Sequence, residues 1–480
     1  MISHYIKTDS FPSGMTARVA RSSLRSLSRE FSGKLLEPFQ AGYGDARTLW
    51  NADLDRYPAL VAQCATEEDV QLAVRFASDE GLTVTVRGGG HSIAGKSILD
   101  GVMVIDVSRL NAVTIDPNKR LAFCSGGSRW ADLDIAAQEH GLATTGGQCP
   151  TVGIAGAALG GGVGWLMRRH GLTVDNLVSV HLVTASGDLV RASTDENREL
   201  FWALRGGGHA FGVITSLELN LHRINKVIAG KVFHPIDRLG EAVRYLHEFS
   251  EGAPDDLTAV LFTGNLPEIP EIPARMHGAA GFAFAVCQNR EPGRDSGEAD
   301  EALRELLNFG PPIGHTVREM SYAELQGMFQ ESPAARYGYG QSVQSAYMDH
   351  IDDRIADVIS RQVSKGPSPM SVFEIISLGG AVRRQPEMST AFAGRSESLF
   401  CAFAATWEGP DEAKKHMEWT RESGEALREA AGTRKTYINY VEAADWDRSF
   451  RESLGDRKID RIRALGRELD PHGVFFQPLS

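Results

Sequence analysis

The chain has 480 residues, 42% hydrophobic and 23% charged, a globular composition large enough for two or three domains around a sizeable core. Its 50 Lys and Arg against 62 Asp and Glu leave a net charge of −12, which excludes a surface built to attract phosphate backbones, so no nucleic acid is expected as a partner. Five cysteines, odd in number and without a CxxC pair, exclude a disulfide framework and a zinc site, and no metal is expected.

Residues 1–30 form an N-terminal extension in which Arg18, Arg21, Arg25 and Arg29 alternate with serines and no apolar signal-peptide core occurs. Thr66 is placed to cap a helix running through Val70, Ala73, Val74 and Ala77 to a stop at Gly81. Strands follow at 82–87 and 102–107. The uncharged run 151–167 contains six glycines and falls short of the roughly 20 residues a spanning helix needs. A soluble, cytoplasmic protein with no membrane partner is therefore expected. Strands at 178–184 and 189–192 flank Ser186-Gly187-Asp188, a hairpin signal. Beyond about Leu221, strands at 259–263, 282–286, 371–378 and 399–406 mix with helices at 298–307 and 411–429, which predicts a second α+β domain. Tyr437, Asn439 and Tyr440 read as a strand.

Of the 50 glycines, 23 lie between Gly81 and Gly212, in blocks such as Gly88-Gly89-Gly90, Gly160-Gly161-Gly162 and Gly206-Gly207-Gly208. Glycine at that density lets backbone N–H groups come close to a ligand. One match in this region is formally good: residues 90–97 fit the phosphate-binding loop GxxxxGK[ST] after a strand. That mechanism needs a helix starting at Lys96, and Ile98-Leu99-Asp100-Gly101 turns straight into the next strand, so a nucleoside triphosphatase is rejected. No GxGxxG, HExxH or GxSxG motif is present.

What remains is Arg87-Gly88-Gly89-Gly90-His91-Ser92, with Cys149 of Gly147-Gln148-Cys149-Pro150-Thr151-Val152-Gly153 standing 58 residues after His91. Together with residues 160–164, 171–177, 205–208, 211–215, Tyr437-Ile438-Asn439-Tyr440 and Asp470-Pro471 before Phe475 and Gln477, these segments resemble the FAD-linked oxidases of the vanillyl-alcohol oxidase superfamily, in particular the berberine bridge enzyme-like family. The resemblance covers residues 31–477 and is weak in the middle of the chain. It implies an α+β fold of two domains: a discontinuous PCMH-type FAD-binding domain at 31–222, completed by a C-terminal segment at 432–480, and a substrate domain at 223–431 built on an antiparallel sheet covered by helices.

The resemblance also implies roles. His91 and Cys149 would tether FAD at the 8α-methyl and at C6, a bicovalent flavin, where composition alone reads a loop histidine and a buried thiol. Arg87, Gly88, Gly89, Gly90, Ser92 and Gly95 would line the pyrophosphate. Gly153, Gly156, Val213, Asn439 and Tyr440 would lie along the cofactor, and Val152 resembles the small gatekeeper of oxidases. Tyr437 would take the substrate's hydroxyl proton as hydride leaves for the flavin, which dioxygen then reoxidises with release of hydrogen peroxide. A phenol with a reference pKa of about 10 must act in concert with hydride loss or be shifted to do so.

Ala155, Ala157 and His209-Ala210 depart from the family pattern. The expected function is oxidation of a hydroxyl on a carbohydrate or natural product by a monomer or homodimer. The alternatives are carbon–nitrogen oxidation or oxidative ring closure in the same fold, and a flavin-loaded binding protein without turnover. Arg336, Tyr337 and Tyr339 are candidate pocket residues, and His170 and His209 are read as structural.

Overall fold

Thr66 opens the helix Glu67–Asp79 with a reciprocal capping box: its hydroxyl accepts the Asp69 N–H and the Asp69 carboxylate accepts the Thr66 N–H. The computed structural model describes residues 21–208, 211–293 and 295–476, so the first twenty residues, His209-Ala210 and Gln477 lie outside it. The helix Arg21–Glu30 inserts Leu27 into the same core as Val70, Ala73 and Val74, so it belongs to the first layer of the fold.

Beside this helix pair lies a four-stranded sheet, ordered Lys34–Leu36, Leu60–Gln63, Met103–Asp106, Val84–Arg87. The last two strands run parallel, and residues 88–102 connect them without a helix, as the rejection of the phosphate-loop reading requires. The C-terminal segment returns to this edge, where the Val84 N–H donates to the Val474 carbonyl and Val84 bridges Phe475. A five-stranded sheet follows, containing the expected hairpin as Leu177–Val183 and Leu189–Ser193.

The expected second domain is an eight-stranded antiparallel sheet. Along its path the order is Gly314–His315, Lys226–Pro235, Ala280–Asn289, Leu257–Asn265, Ser371–Ser377, Leu399–Trp407, Gly340–Met348, with Arg318–Ser321 also pairing to Lys226–Pro235. Residues alternate between two faces, as the pleat demands. Val232, Leu261, Phe373, Ile375, Cys401 and Phe403 pack into a core with helices Leu239–Gly252, Asp353–Val363 and Ala413–Ala431. Ala229, Val260, Ile376, Phe400 and Ala402 point the other way, into one core shared with Trp130, Ile154 and Trp165 of the glycine-rich N-terminal half. The sheet therefore roofs the glycine-rich loops. Among the described residues no helix is long and apolar enough to cross a membrane.

Candidate active site

The loop after Val84–Arg87 and the loop after Leu142–Ala143 meet through bare backbone. A Cβ placed on Gly89 would come within 2.5 Å of the Gly153 nitrogen, so only glycine allows the approach. The meeting aligns two side chains far apart in sequence. His91 Nε2 lies 2.9 Å from Thr151 Oγ1, and Cys149 Sγ lies 3.3 Å from the same hydroxyl. Trp50 stacks on the imidazole at 5.0 Å and Tyr337 meets it edge-on at 5.6 Å. Burial, reinforced by Arg129, pushes the His91 pKa down to about 3, so the ring is neutral at any working pH. The other four cysteines are buried, and Cys149 is half-buried.

Arg87, Gly88, His91, Ser92, residues 147–152 and Ala155 are partly open to solvent, and Gly156 is exposed and faces open space, an accessible strip of backbone that we read as the cofactor trough. Gly90 and Gly95 take positive φ of 72° and 67°, shaping the loop around it. Ser92 Oγ accepts the Lys96 N–H at 3.2 Å, closing that turn. Arg87 is ion-paired at 2.9 Å with fully buried Asp106, leaving its Nε without a partner. The Val213 side chain is buried in the core with the first helices, so a cofactor would meet only its backbone. Lys96 rests its ammonium 2.8 Å from the centre of the Trp446 ring, and burial lowers its pKa to about 7.

Tyr437 to Tyr440 is a correction to the expected strand. Ile438–Tyr440 is a 3-10 turn, closed by the Tyr440 N–H donating to the Tyr437 carbonyl at 2.8 Å. The turn forms because Asn439 reaches back, donating from Nδ2 to the Ala157 carbonyl at 3.1 Å and to the Tyr437 hydroxyl at 3.0 Å. Tyr437 is 5% exposed, packed against Phe392 and Phe400, and also accepts the Gly162 N–H at 3.3 Å. Burial pushes its pKa up, and these donors oppose the shift.

Tyr440 is half-buried and meets Phe400 edge-on at 5.3 Å. Its pKa is driven well above the usual phenol value, first by the Glu374 carboxylate, with Cys149 close enough to contribute. Glu374, on Ser371–Ser377, is hydrogen-bonded to that phenol, and burial raises its pKa to about 7. Sequence reasoning missed Glu374, because one glutamate in Ser-Val-Phe-Glu-Ile-Ile-Ser reads as the wet side of an alternating strand.

Of the three pocket candidates, Tyr337 belongs at the trough: its hydroxyl donates to the Gly89 carbonyl at 2.7 Å. Tyr339 accepts the Ala52 N–H at 2.8 Å through its carbonyl, while Asn51 and Gln341 exchange two hydrogen bonds of 3.0 Å. Arg336 is exposed and paired with Glu331. His170 stacks on His222 at 3.7 Å, away from these groups. Among the described residues no cluster of His, Cys, Asp or Glu is arranged to hold a metal.

A trough with an imidazole and a thiol facing one point, glycine backbone along its length and an unpartnered guanidinium nitrogen fits an elongated flavin dinucleotide. The comparisons agree. A family model described as FAD binding domain matches residues 58–193. (R)-6-hydroxynicotine oxidase of Paenarthrobacter nicotinovorans is 30% identical over 451 residues, 92% of this chain and 95% of that protein. Xylooligosaccharide oxidase of Thermothelomyces thermophilus is 28% identical over 90% of each chain. The crystal structure of 6-hydroxy-D-nicotine oxidase from Arthrobacter nicotinovorans superposes with a TM-score of 0.80 at 28% identity, covering 93% of this chain and 98% of that one. With its fold, its trough and these relatives, the chain belongs to the berberine bridge enzyme-like FAD-linked oxidases with a PCMH-type FAD-binding domain, and is an FAD-dependent oxidoreductase.

Proposed function

We propose that this protein is an oxidase that holds FAD through both His91 and Cys149 and oxidises a hydroxyl-bearing carbon of a carbohydrate or natural product. The observation that carries the tethering is the convergence of His91 Nε2 and Cys149 Sγ on the single Thr151 hydroxyl. FAD held along this strip by the loop of residues 88–95, His91 and Cys149 would supply the hydride acceptor, with dioxygen as the final oxidant and hydrogen peroxide as the product.

The chain's own part is to position the substrate and take a proton. Tyr437 is the acceptor that the family resemblance implies, but it is buried and its oxygen is occupied by two donors. Tyr440 is the less enclosed phenol, and the Glu374 carboxyl beside it is the group to which its proton would pass. A substrate hydroxyl giving its proton to Tyr440 as Tyr440 gives its own to Glu374 needs no free phenolate. A carboxylate with a pKa of about 7 is matched to that role at neutral pH. Tyr437 and Asn439 then act as the brace that holds Tyr440 in place.

Oxidation at a carbon–nitrogen bond is the second reading, supported by the 30% identity to a hydroxynicotine oxidase. Peroxide release against a panel of sugars, alcohols and cyclic amines separates the two, and no release with any of them would leave a binding protein. Acid precipitation tests the tethers: yellow colour should stay in the pellet and be lost in the H91A/C149A double variant. Colour in the supernatant of the unmodified protein would overturn the covalent reading.

A further inference from the structure

On the sheet face turned toward the trough, Arg318 at the edge is paired with Glu324, while Lys231 is a cation that the chemistry above does not use. Lys231 sits on Lys226–Pro235 next to Val232, which points into the helix-covered core, so the lysine projects from the opposite face. Its ammonium lies 4.6 Å from the centre of the Phe329 ring and 5.4 Å from that of Phe262. Those rings contact each other at 5.4 Å, and Phe329 lies parallel to Trp165 of the FAD-binding domain at 6.3 Å. Among the described residues no carboxylate or carbonyl pairs with the Lys231 ammonium.

The register places this cation relative to the proton acceptor. Lys231 pairs with Ala285, Ala285 with Val260 and Val260 with Ile376, while Glu374 pairs with Phe262 two residues along. Three strand spacings and two residue steps separate the backbones of Lys231 and Glu374 by about 16 Å. Lys231, Phe262 and Glu374 lie on this sheet face, Met328, Phe329 and Tyr440 pack against it, and each of the six is partly open to solvent.

We propose that Lys231 is the recognition point for an anionic oxygen group, a carboxylate or ionised phenol, on an elongated aromatic substrate whose reacting carbon lies at the Glu374–Tyr440 end. The proposal rests on the oxidase reading above and narrows it. Aromatic walls accept a flat apolar body, and an ammonium among them is matched by a full negative charge far better than by a neutral sugar hydroxyl. Burial lowers the Lys231 pKa only to about 8, so it is still charged at neutral pH.

Calorimetric titration of the yellow holoprotein with trans-cinnamate and with its neutral isostere cinnamamide tests this. The unmodified protein should prefer cinnamate by about 10- to 100-fold. K231M should bind the two equally, and K231R should restore the preference. An unmodified protein that does not discriminate, or a preference that survives in K231M, overturns the proposal. Failure of the flavin tethering registers elsewhere, in the colour of the acid pellet, so the two are told apart.

Discussion

Thr151 and His91, 60 residues apart in sequence, are joined side chain to side chain at 2.9 Å, and the same threonine hydroxyl touches Cys149. One oxygen thus fixes the orientation of both groups assigned to hold the flavin. Because burial keeps the imidazole neutral, this orientation does not change with pH in the working range. T151V, which keeps the shape and removes the hydroxyl, should cost about 1 kcal/mol of orientation and slow covalent attachment roughly five- to tenfold. T151S should restore it. The measurement is the time course of acid-stable flavin by intact mass, and equal rates in all three proteins would deny threonine this role.

The Tyr440–Glu374 pair predicts a pH profile. Glu374 must be ionised to receive a proton, so turnover should rise through pH of about 7 and level off above it. E374Q should flatten that limb. Y440F should lower turnover by about 10²- to 10⁴-fold with flavin retained, whereas Y437F should lose less than about tenfold through a looser turn. Steady-state peroxide release across pH 5–9 checks all three, and a deep loss in Y437F with an active Y440F would return the proton to Tyr437.

His234 predicts a stability change remote from the chemistry. It is fully buried, stacked on Phe282 at 5.1 Å with Phe284 and Phe309 edge-on, and neither ring nitrogen has a partner. Burial lowers its pKa to about 4. An unfolded chain would take up a proton below about pH 6.5 that the folded chain refuses until about 4, so this site makes the protein less stable as pH falls between those values, by about 3 kcal/mol in all. H234F should raise the melting temperature at pH 7 by removing two unpaired polar atoms and should raise it further at pH 5. Calorimetry at both pH values decides, and a lower melting temperature at each would contradict the account.

Gly160 predicts how closely the turn is fitted to the trough. A Cβ there would overlap the Asn439 side chain. G160A should displace Asn439, cost about 1–3 kcal/mol of stability by overpacking, and lower turnover with it. Thermal melts and peroxide assays on the same preparation read both effects.

Close backbone approach left a dense trail of glycine that marked the cofactor half of the candidate site in the sequence, while FAD as its occupant came from the family resemblance of those segments. The substrate half left no such trail. Glu374 is the one charge of its strand and Lys231 stands mid-strand among apolar residues, and only the pairing of those strands shows that both lie on the covered face. Gly340–Met348 was missed for a related reason: Gln341, Ser342, Gln344 and Ser345 are buried there beside Val343 and Ala346, so the strand has no polar-apolar alternation to read. Tyr437 to Tyr440 was misread because two tyrosines flanking an asparagine suit a strand, and the hydrogen bonds that make them a turn come from a loop some 280 residues earlier in the chain.

The fastening of residues 337–341 onto Asn51, Ala52 and Gly89 has a consequence for descent. A substrate sheet moved onto another cofactor domain would keep this seam only where a carboxamide still stood at position 51 for Gln341 and an imidazole still met Tyr337 edge-on. The two halves must diverge together along this seam, and new specificity has to come from changes on the sheet face that carries Lys231 and Glu374.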